Sequence, residues 1–138
     1  MALKCLVLFS LLVVLVLVGA QPPAAQNFHQ RHMDTNPRDL GHNYCNQMMR
    51  NRNLLNRNFN TFVHETFAVV QAVCREPRIR CRNGENNCHR SRQNMMITDC
   101  NLTGLHPNPT YNTNRHQASI IIACVGNPPV PVHFDGSG

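Results

Sequence analysis

Lysine is almost missing from this chain. Lys4 is the only one, so 12 of the 13 Lys and Arg residues are arginines (13 minus 1). Carboxylates are sparse too, seven in all, and the formal net charge is +6. No Cys-x-x-Cys pair occurs among the seven cysteines. That removes the paired-ligand spacing of a structural zinc site, and no metal or other cofactor is expected. There is no internal repeat and no shift of composition that would mark a second domain. The one long apolar run, from about Cys5 to Val18, is short for crossing about 30 Å of hydrocarbon, and Gln21-Pro22-Pro23 follows it directly. A transmembrane anchor is therefore not expected.

That run reads instead as a secretory signal over residues 1–20, with Lys4 before it and Val18-Gly19-Ala20 as the small residues a signal peptidase needs. Cleavage after Ala20 leaves a single domain over 21–138, 118 residues (138 minus 20), and Gln21 could cyclise. The only lysine leaves with the signal, so 12 arginines face seven acids, a net charge of +5. A small, basic, exported domain suits polyanionic partners: nucleic acid, heparan-like glycans or an anionic membrane surface. Guanidinium groups meet phosphate or sulfate in bidentate fashion, which sharpens the point. Cys5 also leaves, and six cysteines remain: Cys45, Cys74, Cys81, Cys88, Cys100 and Cys124. An even number in an exported domain reads as three disulfides, with about 15 pairings open to sequence alone. Asn101-Leu102-Thr103 is the one glycosylation sequon, since Pro109 disqualifies Asn108.

The periodicity predicts helices over Ala24–Met33, Asn43–Leu55 and His64–Cys74. In the first, Phe28 and His32 share a face; in the third, Phe67, Val70 and Val73 point inward. Strands follow. Arg78 to Arg82 and the Asn83-Gly84 turn begin a hairpin, and further strands are expected over Met95–Cys100, Ser119–Val125 and Val130–Asp135. Helices first and strands after them give an α+β domain. Arg78, Arg80 and Arg82 alternate and would line one strand face, with Arg75, Arg90 and Arg92 completing a cluster that holds six of the 12 arginines. It is either a solvated hairpin face or a polyanion-binding patch.

Three segments carry the chemistry. They are Phe28-His29-Gln30-Arg31-His32-Met33-Asp34, Arg57-Asn58-Phe59-Asn60-Thr61-Phe62-Val63-His64-Glu65 and Val130-Pro131-Val132-His133-Phe134-Asp135. In the last, Val132 and Phe134 point to one face of a strand and His133 to the other. Together the three resemble the catalytic signature of the secreted pancreatic-type ribonuclease superfamily, and the resemblance runs over essentially the whole chain. It implies three short N-terminal helices on a curved antiparallel β-sheet, stapled by Cys45–Cys100, Cys74–Cys124 and Cys81–Cys88. It makes His32 the general base, His133 the general acid and Arg57 the cation at the transition state. Asp135 would orient His133, and the Phe134 backbone would donate to phosphate. Thr61 would select pyrimidines, with Asn60 in the same pocket. Glu85 and Asn87 would read the following base, while Arg82 and Arg31 would hold phosphate. His64 matches a structural position of the family.

The departures are specific. Where the family has Cys-Lys-x-x-Asn-Thr-Phe, this chain has Asn56-Arg57-Asn58-Phe59-Asn60-Thr61-Phe62, preceded by a shortened connection. Arg57 takes the lysine's place and Asn56 the cysteine's; that cysteine's usual partner is replaced by Pro109, so both ends of one disulfide are gone. Losing such a bond costs about 2–5 kcal/mol in a small secreted domain. Arg31 replaces a glutamine and should lower the pKa of His32, and Asn27 replaces a basic residue. Two functions follow as expectations. One is a secreted, monomeric endoribonuclease that cuts RNA after pyrimidines through a 2′,3′-cyclic phosphate, with reduced activity, and with the cytosolic ribonuclease inhibitor as a candidate partner. The alternative is a cationic host-defence protein on the same fold, binding heparan-like glycans or anionic bacterial surfaces, with vestigial catalysis.

Overall fold

A computed structural model describes residues 22–138. The signal expected over 1–20 lies outside the described residues. Pro22 and Pro23 open helix α1 (Pro23–His32) where a missing N–H costs nothing. Its Ala25, Phe28 and His32 are buried on one face. Helix α2 (Tyr44–Asn51) buries Tyr44, Cys45 and Met49. It is shorter than the expected Asn43–Leu55, because Asn53 takes a left-handed conformation (φ 60°) and the Leu54 N–H closes onto the Met49 carbonyl at 2.7 Å. Asn tolerates that conformation better than most residues. Strand β1 (Phe59–Val63) follows. Helix α3 (Phe67–Ala72) begins at Phe67 rather than His64, because the Thr66 hydroxyl caps the Val69 N–H. It ends in a 3₁₀ turn, Val73–Arg75, just before Pro77.

The remaining strands are β2 (Arg78–Ile79), β3 (Cys88–Arg90), β4 (Met95–Gly104), β5 (Thr110–Ala118), β6 (Ile120–Val125) and β7 (Val130–Ser137). All pairings between them are antiparallel, in two sheets ordered β1-β4-β5 and β2-β3-β6-β7. This is the ribonuclease A-like α+β architecture. α1, α3 and β6 enclose the main core of Phe28, Val70, Val73, Ile97, Ile120 and Ile122. A second core gathers Tyr44, Met49, Leu54, Phe62 and Tyr111 around the Cys45–Cys100 disulfide. Cys74–Cys124 and Cys81–Cys88 complete the cross-links. Among the described residues no helix is long and apolar enough to cross a membrane.

The expected arginine stripe is also corrected. Arg78, Arg80 and Arg82 do not line a strand face, because β2 stops at Ile79 and Arg82 lies in a turn. The hairpin opens instead into the Cys81–Cys88 loop. There the Arg82 N–H turns toward the Asp135 carboxylate, at 3.1 and 3.3 Å from its two oxygens. Arg90 reaches the Gly138 carbonyl and the Ser119 hydroxyl, and Arg92 pairs with Glu76.

Candidate active site

A cleft of about 530 Å³ opens between α1, β1 and β7. His32, Arg31, Arg57, Asn60, Thr61, Arg82, His133, Phe134 and Asp135 line it together, with Phe59 on its rim. Three chain segments far apart in sequence, 28–32, 57–61 and 132–137, thus supply most of its lining, and Arg82 comes from the Cys81–Cys88 loop. Glu85 and Asn87 are not among the lining residues. They sit in the Cys81–Cys88 loop, where the Asn87 carbonyl accepts from the Cys124 N–H at 3.1 Å and the Glu85 carbonyl from the Cys81 N–H at 2.7 Å.

His32 ends α1 and is buried, its ring 5.3 Å from that of Phe134 at an interplanar angle of 26°. Its Nδ1 lies 2.9 Å from the Thr61 carbonyl oxygen. A carbonyl only accepts, so Nδ1 carries the hydrogen and Nε2 keeps the lone pair. Burial is the main force pushing the His32 pKa down to about 4; the Thr61 carbonyl opposes it, while the Arg57, His133 and Arg31 charges add to it. The ring is neutral at pH 7. Arg31 acts in the direction its sequence position suggests, but burial dominates.

His133 sits on β7 where the pairing with β6 slips between Ala123 and Cys124, an irregularity that re-aims the strand. Its side chain is half exposed, and Nε2 meets Asp135 Oδ1 at 3.1 Å. A carboxylate also only accepts, so here Nε2 carries the hydrogen and Nδ1 is left for the cleft. The two imidazoles therefore use opposite nitrogens for anchoring. One is held as a neutral acceptor, and the other is oriented by a carboxylate that leaves its second nitrogen free, which is the division of labour acid–base catalysis needs.

Arg57 is pinned by its backbone and its head. Its N–H bonds the Leu54 carbonyl, and its carbonyl accepts from the Tyr111 hydroxyl at 2.6 Å. The Leu102 N–H holds the neighbouring Asn58 carbonyl at 2.8 Å. These contacts, with buried Leu54, anchor the segment that lacks the family's fourth disulfide. Arg57 Nη1 donates to Asn60 Oδ1 at 2.8 Å, and Asn60 Nδ2 donates to the Arg31 carbonyl at 2.8 Å. Asn60 is thus a brace between two cations. Burial, and then Arg31, disfavour the charged form of Arg57, although a guanidinium stays protonated.

Sequence reading missed Asp99. It pairs across β1–β4 with Thr61 and accepts the Thr61 hydroxyl at 2.7 Å. The signal was present, a carboxylate inside the apolar strand Met95–Cys100. His64 lies outside the cleft. Its Nδ1 donates to the Asp34 carbonyl at 2.7 Å and its Nε2 accepts from the Thr98 hydroxyl at 2.6 Å, so both nitrogens serve the fold. Among the described residues the one grouping of metal-ligating atoms is Cys81, Cys88 and Asp135, and both sulfurs are in a disulfide.

The family model described as pancreatic ribonuclease matches residues 23–135. The chain is 48% identical to the rat (Rattus norvegicus) ribonuclease pancreatic gamma-type, over 97% of each. It is 47% identical to the seminal ribonuclease of Bos taurus over 99% of each, and 49% identical to the brain ribonuclease of that species over 99% of this chain and 89% of the relative. The chain belongs to the pancreatic ribonuclease family.

Proposed function

We propose that this chain is a secreted endoribonuclease that cleaves single-stranded RNA on the 3′ side of pyrimidines through a 2′,3′-cyclic phosphate. The observation that carries the proposal is the pair of oppositely anchored imidazoles in one cationic cleft. His32 Nε2 takes the proton of the 2′-hydroxyl, whose oxygen attacks phosphorus. His133 Nδ1 gives its proton to the departing 5′-oxygen, and Asp135 orients the ring through Nε2. Arg57 faces the negative charge that builds on the non-bridging oxygens, while Arg31 and Arg82 hold phosphate. A bound phosphodiester offsets the Arg57, His133 and Arg31 charges, which add to the larger lowering of the His32 pKa by burial. Thr61 contacts the pyrimidine, and the rings of Phe134 and Phe59 offer apolar flanks to the base; Phe59 is 52% exposed beside the cleft. The 2′-hydroxyl is the nucleophile, so DNA binds without being cut.

Activity below that of lysine-bearing relatives follows from Arg57, whose charge is spread over a planar fork rather than concentrated on one nitrogen. The test is cleavage of a short RNA with a single pyrimidine–purine step, in EDTA, with a His133→Ala control. Cyclic-phosphate product that disappears in the control is the expected result. No cleavage by folded, fully disulfide-bonded protein would overturn the proposal in favour of the polyanion-binding reading. One observation favours that second role: Arg75, Arg78 and Arg80 are exposed and have no ion-pair partner among the described residues. Heparin affinity that falls steeply with salt is its signature.

A further inference from the structure

His116 belongs to none of the groups assigned above, yet it is connected to the cleft through a single residue. Asp99 on β4 stands directly across from Thr61 on β1 and from Asn114 on β5. His116 lies two residues beyond Asn114, so the Thr61, Asp99 and His116 side chains share one face of the three-stranded sheet. The carboxylate is divided between its neighbours. Oδ1 accepts the Thr61 hydroxyl at 2.7 Å, and Oδ2 accepts from His116 Nε2 at 2.7 Å. A carboxylate has no hydrogen to give, so Nε2–H is the donor whether or not Nδ1 is protonated. With both oxygens held, Asp99 cannot turn without breaking a charge-assisted hydrogen bond.

That matters because a hydroxyl has one hydrogen. While the Thr61 hydrogen points at Asp99, its oxygen can only accept from a ligand. Uracil presents an N3–H donor at the position where cytosine presents a bare N3 acceptor. A clamped Asp99 therefore fits Thr61 to uracil. Cytosine requires the hydroxyl to swing its hydrogen away, leaving Asp99 Oδ1 without that donor. Resting on the proposed reading that Thr61 faces the base, we propose that His116 is a positioning residue which, through Asp99, sets the preference of the cleft for uracil over cytosine. Removing His116 frees the carboxylate to rotate toward solvent and releases the Thr61 hydroxyl for either base.

The experiment compares kcat/KM for uridylyl-(3′→5′)-adenosine and cytidylyl-(3′→5′)-adenosine in the unmodified protein, His116→Ala, His116→Gln, Asp99→Ala and the Ala–Ala double variant. Binding of uridine 3′-phosphate and cytidine 3′-phosphate by calorimetry gives a readout independent of turnover. His116→Ala is expected to lower the uridine-to-cytidine ratio about three- to tenfold, the equivalent of one hydrogen bond, chiefly through the uridine substrate. Retained activity on the cytidine substrate serves as the control for folding. His116→Gln, whose amide also donates, should recover most of the ratio, and His116→Ala should add nothing in the Asp99→Ala background. An unchanged ratio in His116→Ala while Asp99→Ala shifts it would overturn the proposal, as would an effect of His116→Ala that persists without Asp99. If Asp99→Ala leaves the ratio unchanged, or the unmodified protein binds neither nucleotide, the reading of Thr61 fails along with it.

Discussion

Replacing Arg57 by lysine should make this protein a faster enzyme. The guanidinium and an ammonium carry the same charge but deliver it at different distances. An ammonium nitrogen approaches a phosphate oxygen to about 2.8 Å, whereas the centre of a guanidinium stays about 1 Å further away. At an effective dielectric of about 20, that difference is worth about 1.5 kcal/mol for one full unit of developing charge, or about tenfold in rate. The surroundings suit the exchange. Asn60 is fixed by its bond to the Arg31 carbonyl and would accept from an ammonium as it now does from Nη1, and the backbone of residue 57 is held by Tyr111. The assay is steady-state cleavage of a pyrimidine–adenosine dinucleotide, with Arg57→Ala alongside. Arg57→Lys should raise kcat about tenfold with little change in KM. Arg57→Ala should lower kcat by about 10²-fold, the loss seen when a donor to developing charge is removed. An unchanged or lower rate in a folded Arg57→Lys protein would refute the reasoning and place the limit elsewhere.

Other outcomes follow from particular contacts. His32 has a folded pKa of about 4 against an unfolded value of about 6.5, so its contribution to stability is full above pH 6.5 and is lost as pH falls toward 4. Between pH 7 and 4.5 that loss is about 2–3 kcal/mol; urea unfolding should show a flatter pH dependence in His32→Asn by that amount, and identical slopes would contradict the burial argument. Tyr111→Phe removes the hydroxyl that holds the Arg57 carbonyl, and should cost about 1 kcal/mol of stability together with a lower kcat; a stability loss with kcat untouched would mean Arg57 is positioned by other contacts. Gly136→Ala places a Cβ 2.8 Å from Arg82 Nη2. Because that atom is the end of a flexible side chain, stability should barely change while Arg82 is displaced. KM for a longer oligonucleotide should then rise about threefold, and KM for a dinucleotide should stay where it is, if Arg82 holds an outer phosphate.

How much of this was legible in the sequence depended on whether a residue's role is written locally. α1 announced itself through the four-residue spacing of Phe28 and His32, and β7 through the alternation around His133. β5 gave no such signal. Its sequence, Thr-Tyr-Asn-Thr-Asn-Arg-His-Gln-Ala, runs along the edge of its sheet and buries only Tyr111, so no apolar period marks it. The end of α2 and the start of α3 differ from the hydrophobic pattern for a related reason: Asn53 ends the one and Thr66 begins the other by backbone and capping geometry. The arginine alternation over Arg78–Arg82 failed because a two-residue strand and a disulfide loop override the period-two pattern. Within the cleft, His32, Arg57, Thr61 and His133 were found through the three matching segments. Asp99 and His116 depend on which strands become neighbours, and pairing across 17 and 38 residues is not visible in a local window.

The central claim is that the cleft activates a 2′-hydroxyl, and one pair of substrates tests it most directly. Two otherwise identical oligonucleotides are compared, one of which carries a 2′-deoxy pyrimidine on the 5′ side of the single susceptible phosphodiester. The all-ribose strand should be cut to a product one water lighter by mass than the linear phosphate, while the deoxy strand binds with the same affinity and stays intact. Cleavage of both strands, or binding of both without cleavage of either, would contradict the account.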